Sequence, residues 1–583
     1  MKSSKLLIAF IALCLLTGLI ACGSSGGSAP AKTAPATTTP APAAPAATIP
    51  PAAPALVKEV GGGVIEGAKK IEMVDNVVVV MTSATFDPAP FGSVGGRGAF
   101  EQMLFAAPLF RNHFTQPWDD KSSWWMAKNI TKVNDSTYDI EFWDNIKDSQ
   151  GNLITVDDVI WSYEMLVSIG EQISVGNNIK KMSNMGNNIM RLEQVGPGAM
   201  VTEQILGYNR VGLCNRAWYE KTSPDERATN PATTGPYKIK SVVPGAEIVL
   251  EAVEPYWMPE ELRPAGMKQT VKTITMRTIA EPAMRSIALE NKEVDVAAIA
   301  ASEYTRFYEN GKPKPGYNVR ITDSDHAYGF YLNMDKKSGS VTANNPALRK
   351  AILTMLKWDD IMMSYGNTFD TAMPCFTTGV TNTGGFNPEW TKKEYWPYSV
   401  ELGKKYLEEA GFKPGEVTIR FLTRVGATAD ATNSVIVAHL GAIGINVDII
   451  SYDQATFNNF KFDSSHWDMI LDNKPSAHLA TGWDDSFNPK GYSNGGMNFL
   501  FAEGNDTKEG IALLDAALNK TSPQTIEAFH QFLIDQAACK SVFVALGFRV
   551  SQDGILDITC GQGGQLMPSG FVFAENYKSA LGK

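Results

Sequence analysis

The chain has 583 residues, a formal net charge of −10 at pH 7 and 44% apolar residues, which is enough material for two or three buried cores. An acidic chain of this composition is not expected to bind nucleic acid. Beyond the amino-terminal segment no run of about eighteen apolar residues occurs, so the mature protein is predicted to span no membrane.

The amino-terminal segment has the pattern of a lipoprotein signal peptide. Lys2 and Lys5 precede an apolar run that ends in Leu19-Ile20-Ala21-Cys22, which is a lipobox. We predict cleavage of residues 1–21 and lipidation of the Cys22 thiol, which would anchor the protein to the cell membrane. An ordinary secretory signal is the alternative, and either one places the folded part outside the cytoplasm.

Low-complexity sequence follows the predicted cleavage site. Removal of residues 1–21 takes away two lysines and no acidic residue, so the formal charge would change from −10 to −12. From Ser24 to about Pro54 nearly every residue is Ser, Gly, Ala, Thr or Pro. Such a composition offers no apolar face to bury. Residues 22–72 are therefore predicted to be a disordered tether.

Short strands and helices alternate after the tether. Val77–Met81 is a β-branched run that predicts a strand. Thr155 and Asp158 form a capping box, and the helix that they open has four apolar side chains on one face: Val156, Ile160, Tyr163 and Val167.

The stretch Asn230–Trp257 predicts a β-hairpin. A Gly-Pro turn precedes a strand that contains Tyr237, and Pro244 with Gly245 forms a second turn. A second strand then passes through Leu250.

The remaining predicted elements continue the alternation. Gly411 is expected to end a helix over Ser399–Ala410. The other helices are predicted to begin at Pro282, at Asn345-Pro346 and near Thr432. The other strands are predicted at Thr270–Ile279, Glu293–Ile299, Val417–Leu422, Asn446–Ile450 and Trp467–Leu471. This order predicts an α/β fold with mixed sheets flanked by helices.

Read as letters, the hairpin NPATTGPYKIKSVVPGAEIVLEAVEPYW closely resembles the signature of family 5 extracellular solute-binding proteins, the dipeptide, oligopeptide and nickel receptors of ABC importers. Further stretches are similar to elements of that family in the same order along the chain: Phe86-Asp87-Pro88, Glu101–Phe110, Tyr138–Leu166, Arg285–Ala297, Tyr406–Phe412 and Gly441–Ile449.

The resemblance implies a two-lobed fold like that of type II periplasmic binding proteins, with an extra subdomain and a hinge that lets the lobes close on a ligand. The expected limits are 73–325 for lobe I with the extra subdomain, 326–540 for lobe II and 541–583 for the return to lobe I. The chain should cross between the lobes near His326–Asn333 and Val542–Phe548.

The resemblance also implies ligand-binding residues in lobe II. In peptide-binding relatives an Asp shortly after a Trp accepts the α-ammonium of the ligand, and here Trp483, Asp484 and Asp485 occupy that stretch. Asp485 is the first choice because of its distance from the following Pro489, and Asp484 is the second. The alternative is a solvated turn with two acids, and Trp483 could equally be a core residue.

Two further sets of residues follow from the same resemblance. Arg424, at the end of a predicted strand, stands where dipeptide-binding relatives hold the ligand carboxylate, and a planar guanidinium suits that pairing. A surface charge after a strand is the alternative. The wall of lobe I could be lined by residues that otherwise simply end a strand: Thr82, Ser83, Phe91 and Ser93.

Sequence motifs of catalysis and of metal binding are missing. There is no GxxxxGK[ST], HExxH or Cys-rich metal knuckle and no GxSxG elbow between a strand and a helix, and the six histidines lie far apart, so no cofactor and no metal is expected. An exported enzyme that uses adjacent acids, Asp484 with Asp485 or Glu408 with Glu409, is an alternative from another class. Adjacent acids point in diverging directions, which weakens it.

Disulfide pairing among the four cysteines of the folded part, Cys214, Cys375, Cys539 and Cys560, cannot be read from their spacing, and buried free thiols are an equal account. We predict a monomeric receptor, not an enzyme, that hands a di- or oligopeptide to the permease subunits of an ABC importer. Nickel chelates, glycans, haem and signalling peptides stay open as ligands, and an exported hydrolase is the remote alternative.

Overall fold

The computed structural model describes residues 70–81, 91, 124–169, 179–195, 213–263, 265–322, 326–375, 385–387, 389–390, 393–461, 463–475, 483, 486–487, 505–520, 522–560, 564 and 566–582. The helices in these residues are Val156–Ser168, Arg216–Lys221, Pro224–Thr229, Pro282–Glu290, Pro346–Met355, Trp358–Ser364, Val400–Glu409, Ala427–Gly441, Gln454–Phe460, Asn505–Asn519 and Pro523–Asp535. The predicted signal peptide, Cys22 and the predicted helix Glu101–Phe110 lie outside the described residues.

A seven-stranded mixed sheet is built from both ends of the chain. Its strands are, in spatial order, Tyr317–Thr322, Gly547–Gln552, Val296–Ile299, Val74–Met81, Val271–Thr278, Glu247–Ala252 and Tyr237–Val243. Val77 and Val79 pack into one core cluster, and Val78 and Val80 pack into a second cluster on the opposite face. Burial on both faces explains why this strand is a continuous β-branched run. The predicted strand and the predicted hairpin are both confirmed.

A six-stranded mixed sheet forms the second large layer. Its strands are, in spatial order, Ala372–Pro374, Cys539–Ala545, His326–Leu332, Met469–Pro475, Thr418–Arg424 and Asn446–Tyr452. The last two are parallel and are joined by the helix Ala427–Gly441, which confirms the predicted βαβ unit. Phe421 packs on one face of this sheet and Leu422 packs on the other.

In the sequence, a four-stranded antiparallel sheet lies between the strands Val74–Met81 and Tyr237–Val243 of the seven-stranded sheet. Its strands are Ala127–Asn134, Thr137–Phe142, Ile189–Gln194 and Ile179–Asn184. Together with the helix Val156–Ser168 it encloses a core of its own, and this is the part of the chain in which the extra subdomain is predicted. Two small sheets, Lys70–Ile71 with Val572–Ala574 and Ile555–Asp557, and Tyr308–Glu309 with Lys312–Pro313, complete the described strands.

Local capping signals correspond to the observed helix ends. The Thr155 hydroxyl accepts from the Asp158 backbone N–H at 3.2 Å, and the Asp158 carboxylate accepts in return from the Thr155 N–H at 2.8 Å, so the predicted capping box is present. Asn345 Oδ1 accepts from the Leu348 N–H at 3.0 Å, as its predicted N-cap role requires. Gly411, with φ of +85°, follows the end of the helix Val400–Glu409, in the left-handed conformation that suits glycine.

Some predicted boundaries differ from the observed ones by two to five residues. The strand predicted from Trp467 begins at Met469, because Trp467 is buried like a strand residue although it lies outside the hydrogen-bonded ladder. The helix predicted near Thr432 begins at Ala427, since its first turn contains little of the apolar pattern that indicates a helix.

Two short connections join the large sheets. The chain passes from Thr322 in the seven-stranded sheet to His326 in the six-stranded sheet, and it returns from Ala545 to Gly547. A lobe boundary at residue 541 would fall inside the strand Cys539–Ala545, which pairs with the six-stranded sheet throughout, so the chain changes sheets at Leu546. Lys70–Ile71 is a strand paired with Val572–Ala574, so these two residues do not belong to the predicted disordered tether of residues 22–72. The division into two lobes stays a prediction.

Candidate functional site

The two connections leave each sheet at the edge where its parallel strands end. Thr418–Arg424 is parallel to Met469–Pro475, and both neighbours of His326–Leu332 are antiparallel to it. Arg424 therefore lies at the same edge as both connections. In the seven-stranded sheet the corresponding edge contains the ends of Val74–Met81 and Val271–Thr278. Ligands of open α/β sheets bind outside the carboxyl ends of such strands.

Arg424 is held between a carboxylate and an aromatic ring. Its Nη2 donates to Asp472 Oδ1 at 2.6 Å, and its guanidinium carbon lies 3.9 Å from the centroid of the Phe457 ring. About a quarter of the side chain, 26%, remains exposed. Both contacts restrict the guanidinium while part of it can be reached from solvent. Arg424 is thus not the fully solvated surface charge of the alternative interpretation, and its contact with a ligand stays a prediction.

Asp472 is shared by two cations. Its side chain is 2% exposed, and while Oδ1 accepts from Arg424, Oδ2 accepts from Lys461 Nζ at 3.3 Å. A carboxylate buried to this extent requires cationic or hydrogen-bonding partners. Arg424, Asp472 and Lys461 form the candidate site, which we call the cation pair site.

Sequence reasoning identified Arg424 and missed Asp472 and Lys461. A signal for Asp472 was present, since an acid that follows Met469, Ile470 and Leu471 interrupts an apolar strand and must find a partner. Which cation would be that partner could not be read from the sequence. The pairing depends on the register between two strands that are 48 residues apart.

Tyr328 and Tyr365, which pack against the core cluster on the opposite face of the six-stranded sheet, are paired with each other. The ring centroids of Tyr328 and Tyr365 are 4.9 Å apart. Burial raises the pKa of Tyr365 to about 12, while Arg424 lowers it and Asp472 raises it by smaller amounts. Burial likewise raises the pKa of Tyr328. Both groups are therefore neutral phenols at physiological pH, able to donate or accept hydrogen bonds.

The second predicted set, Trp483 to Asp485, is described in part. Trp483 is 2% exposed and its ring centroid lies 5.1 Å from that of Phe529 in the core. This is the packing of a core residue, which the sequence left open for Trp483. Phe487 contacts Tyr331 of the six-stranded sheet, with centroids 6.3 Å apart. Asp484 and Asp485 lie outside the described residues.

The residues flanking the two acids share a core cluster with the sheet that contains Arg424. Trp483, Phe487 and Leu422 belong to one cluster, and the same cluster contains Phe457, on which Arg424 stacks. Trp483 and Phe487, which precede and follow the two acids in the sequence, are therefore packed on the same face of the six-stranded sheet as the cation pair site.

Of the predicted residues in lobe I, Phe91 alone is described, and Thr82, Ser83 and Ser93 lie outside the described residues. The Phe91 ring packs against the rings of Trp161 and Tyr219, with centroid distances of 5.7 and 5.3 Å. This contact attaches Phe91 to the core of the four-stranded sheet. A ligand contact by Phe91 stays a prediction.

The described residues contain no group of three or more His, Cys, Asp or Glu side chains placed to hold a metal ion. None of the described helices is long and apolar enough to cross a membrane. All four cysteines of the described residues are free thiols, which favours free thiols over disulfide pairing: Cys214, Cys375, Cys539 and Cys560.

His439 and His530 have structural partners. His439 Nε2 lies 3.1 Å from Asp360 Oδ2, and burial lowers the pKa of His439. His530 stacks on Trp390 with ring centroids 3.8 Å apart. Neither contact involves Arg424, Asp472 or Lys461.

A mixed α/β protein with two large sheets, connected twice at the carboxyl ends of their strands, has the architecture of an extracytoplasmic binding protein. Comparison with known proteins agrees. Residues 121–498 match the model of the middle part of the bacterial extracellular solute-binding proteins, family 5. The chain belongs to this family.

Individual relatives are distant. The chain is 23% identical over 237 residues to YejA of Agrobacterium fabrum, a probable peptide-binding protein, in an alignment that covers 37% of each chain. It is 22% identical over 237 residues to the nickel-binding periplasmic protein of Escherichia coli, covering 39% of this chain and 42% of the relative. The chain thus spans well under half the length of these curated relatives.

Solved structures confirm the predicted fold class. The oligopeptide-binding protein AppA of Bacillus subtilis, solved with a nonapeptide, has a TM-score of 0.67 at 14% identity, with 87% of this chain and 100% of that chain covered. NikA of Brucella suis, solved with Fe(III)-EDTA, has a TM-score of 0.69 at 16% identity, with 86% and 100% covered. At such identities the likeness shows the fold alone.

Proposed function

We propose that this protein is an extracytoplasmic receptor that captures a di- or oligopeptide between two lobes and delivers it to the permease subunits of an ABC importer. The observation that carries the proposal is the place of Arg424. A partly exposed guanidinium, braced by a buried carboxylate, lies at the sheet edge from which both connections leave. A ligand carboxylate at this edge would meet a preorganised bidentate donor.

Asp485 provides the second half of the proposal. An acid in this position would accept the α-ammonium of the ligand, and Arg424 would hold a carboxylate, so that a short zwitterion would be bound at both ends. The contacts of Trp483 and Phe487 with the core on the same sheet face support this pairing, since they tie the segment to the face that contains Phe457.

Binding energy would be used for closure and not for chemistry. Differential affinity of the ligand for the closed form shifts the equilibrium between open and closed lobes, and the permease would recognise the closed form. We further propose that the protein is a monomer without catalytic activity, held at the outer face of the membrane by lipid on Cys22.

A nickel chelate is the second candidate ligand, because one curated relative is a nickel-binding periplasmic protein. A chelate brings its own metal ligands, so it would not need a cluster of protein donors. Arg424 could then bind a carboxylate of the chelate in the same way as that of a peptide.

Isothermal titration of the purified protein with separate panels of di- and oligopeptides, nickel–histidine and oligosaccharides tests the ligand class. The peptide proposal expects saturable binding in the peptide panel. Binding of chelates or oligosaccharides without binding of any peptide would contradict it, and turnover of a bound compound would contradict the receptor class.

A charge-removing variant tests Asp485. Asp485→Asn should weaken the binding of a peptide by about 2–5 kcal/mol, because a buried ammonium would lose its anionic partner. Asp484→Asn is the matched control next to it. Equal affinity of wild type and Asp485→Asn, with weaker binding by the control, would transfer the role to Asp484.

A further inference from the structure

Two arginine–aspartate pairs of the same design connect the strands Thr418–Arg424 and Met469–Pro475. Arg420 pairs with Asp468 and Arg424 pairs with Asp472, so each arginine is followed by its acid 48 residues later. Both carboxylates are 2% exposed, and the two arginines are similarly exposed, at 31% and 26%. The pairs differ in their place on the sheet and in their other contacts.

The Arg420 pair is a closed structural contact. Arg420 Nε and Nη2 reach both oxygens of Asp468, at 3.1 and 2.9 Å, and the Asp468 carboxylate also accepts the Arg420 backbone N–H at 2.8 Å. Arg420 Nη1 donates to the Ser465 carbonyl oxygen. Asp468 is satisfied by a single arginine at the edge far from the connections.

The Arg424 pair differs in that its carboxylate is shared between two side-chain cations. One oxygen of Asp472 accepts from Arg424 and the other accepts from Lys461, so one carboxylate holds two cations side by side. Asp472 is opposite Gly329 in the strand that begins just after the first connection. The two cations are thus placed at the edge where the proposed ligand binds.

We propose that Asp472 is a positioning residue that fixes Arg424 and Lys461 as a two-cation receptor for an anionic group of the ligand, and that Lys461 is a specificity-determining residue. This inference rests on the proposed site but not on the ligand being a peptide. Asp472 and the Phe457 ring orient the guanidinium for bidentate pairing, and Lys461 adds a compact point charge beside it. Orientation before binding reduces the entropy lost when the ligand binds.

The test measures preference for a charged end group. Trialanine and trialanine amide are titrated into wild type and into each variant. The readout is the dissociation constant of the amide divided by that of the acid form. Wild type should bind the acid form about 10- to 100-fold more tightly, as expected for charge-assisted hydrogen bonds. Nickel–histidine, whose anionic groups are the carboxylates of its histidines, serves as a second probe that contains no peptide bond.

Lys461→Met should lower the ratio about tenfold. The variant lacks a cationic partner for the carboxylate of trialanine, whereas trialanine amide has no carboxylate to pair. Asp472→Asn should lower it as well, because the two cations are no longer held. The matched control is Asp468→Asn, which removes the equivalent carboxylate from the Arg420 pair and should reduce the melting temperature while the ratio remains that of wild type.

The outcomes separate this inference from the proposed function. If trialanine and its amide bind equally to wild type, or if Asp472→Asn leaves the ratio unchanged or raises it, the positioning role is wrong while peptide binding stands. If neither peptide binds but nickel–histidine does, and Lys461→Met weakens its binding about tenfold, the peptide proposal fails and the two-cation receptor is retained. An equal drop in ratio for Asp468→Asn and Asp472→Asn would also overturn the inference.

Discussion

Lys540 places an ammonium group in the interior of the six-stranded sheet, and its replacement by methionine is expected to weaken that layer. The side chain is 1% exposed. Nζ donates to the Leu356 carbonyl oxygen at 2.9 Å and to Glu394 Oε1 at 3.2 Å, and it also bonds to the Trp396 carbonyl oxygen. Lys540→Met keeps most of the apolar stem and removes the ammonium group that donates to these three acceptors.

We expect a loss of about 3 kcal/mol in the free energy of unfolding at pH 7. Removing one partner of a buried ion pair costs about 3–5 kcal/mol. Glu394 is 25% exposed, so water can solvate its carboxylate in part, and the lower end of that range applies. The buried carbonyl oxygens lose a charge-assisted bond, and packing of the methionine thioether offsets part of that loss.

Urea unfolding followed by circular dichroism measures this difference as a shift of the midpoint at an unchanged slope. Lys357→Met is the matched control in the same part of the chain. Lys357 is 37% exposed and forms ion pairs with Asp359 and Asp360 at 3.2 and 3.0 Å, so its loss should cost less than about 1 kcal/mol. Equal losses for the two variants would refute the role given to Lys540.

The dependence on pH provides an independent check. Burial lowers the pKa of Lys540 to about 8, from an ordinary value of 10.5. Between these values the unfolded chain binds more protons than the native protein, so wild type gains stability as pH rises from 8 to 10.5, by about 3 kcal/mol. Lys540→Met lacks this gain, so the stability difference should widen with pH. Parallel curves for the two proteins would contradict the assignment.

Further predictions concern the core. Burial lowers the pKa of His530 to about 3, so the unfolded chain takes up the proton first as the pH falls, and His530 costs the native protein about 3 kcal/mol between pH 6.5 and 4. His530→Phe, which can keep the stack on Trp390, should abolish this contribution to the pH dependence of the free energy of unfolding, measured by urea titration. Gly403→Ala would place a Cβ 2.6 Å from Met355 Sδ and should cost about 1–3 kcal/mol of unfolding free energy. A double-mutant cycle with Met355→Ala should show coupling, and additive losses would contradict the contact. The four cysteines of the described residues are free, so dithiothreitol should leave the melting temperature unchanged, and a fall would indicate a disulfide.

Elements whose signals are local could be predicted from the sequence. The capping box of Thr155 and Asp158 depends on residues three apart, and the N-cap Asn345 likewise bonds within one helical turn. The β-branched run at Val77 indicated a strand because both of its faces are buried. The start predicted at Trp467 failed because burial begins before the hydrogen-bonded ladder does, and the start predicted near Thr432 failed because the first turn of that helix contains few apolar residues.

The candidate site was predictable to a smaller extent. Arg424 could be selected from the sequence by its position at the end of a strand and by the family resemblance. Its partner Asp472 is 48 residues away, and Lys461 is 11 residues from that acid. No rule of local spacing joins these three residues, because their contact is created when the crossover helix brings two parallel strands into register.

The sequence by itself indicated the class of fold and the order of its elements, since backbone preference and apolar periodicity act over a few neighbouring residues. The family resemblance added one arginine of the candidate site. The tertiary structure decided that Arg424 shares a buried acid with Lys461, whereas Arg420 on the same strand is closed on its own. Only strand register and the place of the two connections distinguish these arginines, and both arise from packing between segments far apart in the chain.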